Sequence, residues 1–108
     1  MKLILAIVSD EDGHRVMVAL NKEGFIVTKL ATTGGFLRAG NMTLLIGTNE
    51  RSVEKAIDII KENCKRRREI VSTPLPAGID GAYLSQQVEV DVGGATIFVL
   101  DVERHEKV

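Results

Sequence analysis

The chain has 108 residues, enough for one domain with a modest core. Its 44% hydrophobic and 27% charged content is that of an ordinary globular protein, and with aromatics at only 4% and no Trp the core must be aliphatic. A net charge of −1 argues against a nucleic-acid polymer or a membrane surface as partner, and no apolar run approaches the roughly 20 residues that span a bilayer.

Lys2 to Val8 is a nearly continuous apolar run, the pattern of a central strand covered on both faces. It lacks the length and cleavage site of a signal peptide, and acids follow at once. Asp12 is a candidate cap for a helix running to about Glu23, with Val16, Ala19 and Leu20 on its apolar stripe and Gly24 as its stop. Phe25 to Thr32 reads as a second strand and Met42 to Ile46 as a third, with the glycine-rich stretch KLATTGGFLRAGN spanning the connection. Asn49 or Thr48 caps a second helix, in which Val53, Ala56, Ile57, Ile60 and Cys64 recur at helical spacing. Cys64, the single cysteine, is therefore a core residue; it permits no internal disulfide, which fits a cytoplasmic protein.

Glu69 to Thr73 is a short strand candidate, followed by a turn-rich loop, Thr73 to Gln87, carrying two prolines and two glycines. In VEVDVGGATIFVL the alternation of Val88, Val90 and Val92 with Glu89 and Asp91 marks a strand. Gly93-Gly94 then reads as a two-residue hairpin turn, and Ala95 to Val102 as the returning strand. The order β-α-β, β-α-β with a hairpin extension implies a ferredoxin-like α+β sandwich, βαββαβ plus an extra C-terminal hairpin strand, in a single domain over residues 1–108. Both helices would cover one sheet face. The other face has too little aromatic bulk to be covered from within the chain, so a symmetric oligomer packed sheet to sheet is the simplest answer.

The glycine-rich stretch asks for more than a turn. Gly34 and Gly35 can turn successive backbone N–H groups into an anion-binding nest, with Thr32 and Thr33 adding hydroxyls. Arg38 can contact a phosphate, Phe36 can stack on a purine for about 1–3 kcal/mol per base, and Asn41 can satisfy a base edge. A plain hairpin loop with a semi-buried Phe explains the same composition. The stretch is neither a P-loop nor G-x-G-x-x-G. Lys65 to Arg68 reads as a solvated helix end, His14 and His105 as surface histidines, and Asp10, Glu11 and Asp12 as the acidic start of a helix. Tyr83 suits a loop anchor or a ligand stack, and no nucleophile, base and acid assemble anywhere. An acylphosphatase-like enzyme would place its phosphate loop before the first helix. Here Arg38 and Asn41 lie between the second and third strands.

KLATTGGFLRAGN, together with MKLILAIVSDEDGHRV and VEVDVGGATIFVL, closely resembles the PII-like cyclic di-AMP receptor family over nearly the whole chain. The resemblance implies a cytoplasmic, bacterial, non-enzymatic signal-transduction protein. It also implies a homotrimer with cyclic di-AMP bound at the subunit interfaces, no cofactor or metal, and loops that reorder toward a downstream protein. Carried over by position, the expected contacts are Thr28, Gly35, Phe36, Leu37, Asn41 and Gly47; Arg38 is added from its charge. The chain departs from the family pattern at Gly24 and Ile26, where that pattern has an Asn and a cation, in AGIDGAYLSQQ, and in the charged tail DVERHEKV. Each lost hydrogen bond is worth about 0.5–1.5 kcal/mol, or roughly 1.5–3 if charged. These departures leave open a related trimer tuned to another adenine nucleotide, or one acting only as a protein-interaction module.

Overall fold

The computed structural model describes residues 1–30, 40–76 and 83–108. The elements are β1 (Lys2–Ser9), α1 (Asp10–Lys22), β2 (Val27–Leu30), β3 (Asn41–Thr48), α2 (Val53–Asn63) after a 3-10 turn at Glu50–Ser52, β4 (Arg67–Pro76), β5 (Tyr83–Val92) and β6 (Ala95–Asp101). A four-stranded antiparallel sheet runs in the order β2-β3-β1-β6. Both helices lie on one face of it. Ile4, Ala6 and Val8 of β1 and Met42, Leu44 and Ile46 of β3 pack there against Val16, Leu20, Val53, Ala56 and Ile60. The α+β sandwich is thus ferredoxin-like, and its core is aliphatic as the composition requires.

The cap of α1 is Ser9 rather than Asp12: the Ser9 hydroxyl accepts from the Asp12 backbone N–H at 3.4 Å. Asp12 is instead buried, its carboxylate accepting from Arg15 Nη2 at 2.6 Å and Arg67 Nη1 at 3.4 Å. The helix stops as a Schellman motif. Gly24 sits at φ +90°, its N–H donates to Asn21, and the Phe25 N–H donates to Leu20. The departure at Gly24 therefore has a local use. Asn49 caps the turn before α2, accepting from the Ser52 N–H at 3.0 Å.

The larger difference lies after α2. β4 and β5 pair with each other, from Arg67 opposite Val92 to Pro76 opposite Tyr83, as a separate two-stranded arm. The fourth strand of the main sheet is β6, not the segment around Glu69, so the extra strands are inserted ahead of the closing strand. Most of the turn-rich segment is strand; only residues 77–82 of it lie outside the described residues. Pro74 and Pro76 are tolerated because each strand of a two-stranded ribbon has an unpaired edge. Gly93 and Gly94 do take positive φ, 82° and 79°, but they join two sheets rather than closing a hairpin. They pass against the chain leaving α2: the Gly94 N–H donates to the Cys64 carbonyl, and a Cβ on Gly93 would collide with the Lys65 carbonyl oxygen. The basic run is not a helix end either. Arg67 reaches Glu11 and Asp12 at the arm's root, and Arg68 reaches Glu89 and Asp91 across the arm.

Candidate functional site

Alternation along the central strands divides them into a helix-facing and an open face. On the open face Leu3 stands opposite Gly47 and Leu100, Leu5 opposite Leu45 and Phe98, and Leu45 opposite Thr28. Phe98 and Leu100 are about half exposed, at 52% and 47%.

At one end of this face lies a cleft of about 560 Å³, lined by Leu3, Ile26, Thr28, Leu45 and Gly47 with Met1, Val102, His105 and Lys107 from the chain's two ends. Its size is within the range of small-molecule sites. Gly47 is exposed within β3, and a Cβ there would meet nothing closer than Met1 Sδ, at 3.9 Å. Packing within this chain therefore does not demand a glycine; what the glycine does is keep the cleft floor low and the backbone approachable. The chain after β6 is held to this end by the Val102 N–H, which donates to the Met1 carbonyl at 3.1 Å, and by Lys2, which donates to Asp101. That contact raises the Lys2 pKa and lowers that of Asp101.

Asn41 is elsewhere. It opens β3 opposite Ser9, six positions from Gly47, or about 20 Å along the strand. There it lines a cleft of about 410 Å³ with Ser9, Arg66, Gly93, Gly94 and Thr96. The structure thus brings Thr28 and Gly47 together and sets Asn41 at the opposite end of the sheet. Gly35, Phe36, Leu37 and Arg38 lie outside the described residues.

His105 and Lys107 were missed in the sequence as lining residues. No periodicity signals where an irregular segment lies, and His105 reads there only as a surface histidine. Ile26 also lines the cleft, an apolar group left 80% exposed. Cys64 is buried at the end of α2, its Sγ donating to the Ile60 carbonyl at 2.6 Å; burial first, then the Asp12 charge, push its thiol pKa up. Among the described residues no group of His, Cys, Asp and Glu is placed to hold a metal ion. No helix there is long and apolar enough to cross a membrane.

Comparison with known proteins agrees with this architecture. The solved structure of a functionally unknown protein from Pediococcus pentosaceus is similar with a TM-score of 0.73 and 36% identity, over 99% of this chain and 96% of that one. A family model described as cyclic-di-AMP receptor matches residues 1–108. The chain belongs to the cyclic-di-AMP receptor family.

Proposed function

We propose that the protein is a non-enzymatic, cytoplasmic receptor that binds cyclic di-AMP between neighbouring subunits of a homotrimer. The observation that carries this is the split of the expected contacts. Thr28 and Gly47 share a cleft with an apolar floor, whereas Asn41 stands about 20 Å away at the other end of β3. Contacts set at opposite ends of one strand suit two half-sites on each chain, each completed by a second copy. The open sheet face supports the assembly. Leu3, Leu5, Phe98 and Leu100 form an apolar surface, and among the described residues β6 ends the main sheet with one edge unpaired. In the completed site Gly35 and the backbone around it receive the phosphates, with Arg38 nearby, Phe36 and Leu37 cover a base, and Asn41 satisfies its edge. Binding then remodels the segment Thr73 to Gln87, and a downstream protein reads the change.

Isothermal titration calorimetry of the full chain with cyclic di-AMP, against cyclic di-GMP and ATP, tests the reading. It predicts tight binding of cyclic di-AMP near one ligand per chain and far weaker binding of the other two. Absence of cyclic di-AMP binding contradicts it.

A further inference from the structure

The cleft over Gly47 has an apolar floor and a basic rim. Leu3, Leu45 and Val102 form the floor, His105 and Lys107 are its ionisable side chains, and none of the described lining residues is acidic. Neither His105 nor Lys107 forms an ion pair among the described residues, and the acid beside them, Glu106, is engaged by Arg104 at 2.6 Å. The segment carrying them is not free to wander at its root, because Val102 is bonded to Met1 and Asp101 to Lys2. Ile26 on the same rim offers no polar group.

An ammonium with no acid partner, at the mouth of an apolar cleft, suits a ligand with a flat apolar body and anionic links. A cyclic dinucleotide has that chemistry, with two phosphodiesters each carrying one negative charge. We infer that Lys107 supplies the cation that contacts a phosphodiester of the bound dinucleotide, with His105 donating a hydrogen bond beside it. This rests on the receptor reading above and assigns specificity-determining contacts to the segment after β6.

Calorimetric titration of cyclic di-AMP into the full chain and its Lys107→Gln, Lys107→Arg and His105→Gln variants, each at low and high salt, tests the inference. Lys107→Gln is expected to weaken binding about tenfold at low salt and to flatten its salt dependence. Lys107→Arg keeps the charge and is expected to stay near wild type, while His105→Gln loses about threefold. If wild type binds and Lys107→Gln matches it in affinity and salt slope, the inference fails and the receptor reading stands. If Lys107→Arg weakens binding as much as Lys107→Gln, charge is not the cause and the inference fails as well. If wild type does not bind, the receptor reading itself fails.

Discussion

Gly47 is a glycine inside β3, one residue before its end, and a glycine within a strand ordinarily costs up to about 0.5–1 kcal/mol relative to alanine. Its φ is not positive, and a Cβ would meet only Met1 Sδ at ordinary contact distance, so the fold gains nothing from it. Gly47→Val is accordingly predicted to leave the thermal midpoint unchanged or to raise it by a few degrees. It should also weaken cyclic di-AMP binding at least about tenfold, roughly 1.4 kcal/mol. A melting curve and a titration on the same sample check both halves; a lowered midpoint would return the residue to a packing role. Cys64 illustrates the opposite case. Its thiol is buried with a raised pKa, so native protein at mildly alkaline pH is predicted to react with an aromatic disulfide reagent only after unfolding. Rapid stoichiometric labelling of the native protein would contradict the burial.

At the scale of elements, the helices, the first three strands and the closing strand were legible because their signals are local. Val53, Ala56 and Ile60 keep helical period, and Lys2 to Val8 is an unbroken apolar run. The arm was not legible, because which strand pairs with which is not a local property. Gly93-Gly94 between two alternating strands has the sequence of a hairpin turn and the positive φ of one. Only the chain leaving α2, lying against it, shows that it serves as a junction between sheets. Gly93→Ala is predicted to destabilise the protein by about 1–3 kcal/mol, through its positive φ and the collision with Lys65. Gly94→Ala, whose Cβ would find nothing nearer than Arg66 Cβ at 3.9 Å, carries the backbone cost alone. Urea midpoints of the two variants check the order; equal losses would remove the junction argument. Of the candidate site, Thr28 and Gly47 were placed by resemblance to the family and do share a cleft. The distance of Asn41 from Gly47 follows from the length of β3, and its distance from Thr28 from the pairing of β2 with β3.

The molecule as a whole measures 64 × 27 × 19 Å, with a radius of gyration of 18.3 Å against the roughly 13 Å of a compact domain of this length. The arm accounts for the length, and the open sheet face for an apolar surface that a lone domain rarely exposes. Phe98 lies on that face in the edge strand β6, opposite Leu5. Phe98→Asp is predicted to reduce the light-scattering mass from three chains to one while the far-ultraviolet spectrum is retained; a wild-type protein already of monomer mass would contradict the assembly. The central claim, that each binding site is built by two copies, has a direct measurement. Phe36→Ala and Gly47→Val chains, which the proposed assembly assigns to different half-sites, are purified separately, then unfolded and refolded together, and the mixture is titrated with cyclic di-AMP. Completion between copies predicts that neither variant alone binds tightly, and that the mixture recovers wild-type affinity at one site per mixed trimer. No recovery, with mixed trimers confirmed by mass, would contradict it and place the whole site within a single chain.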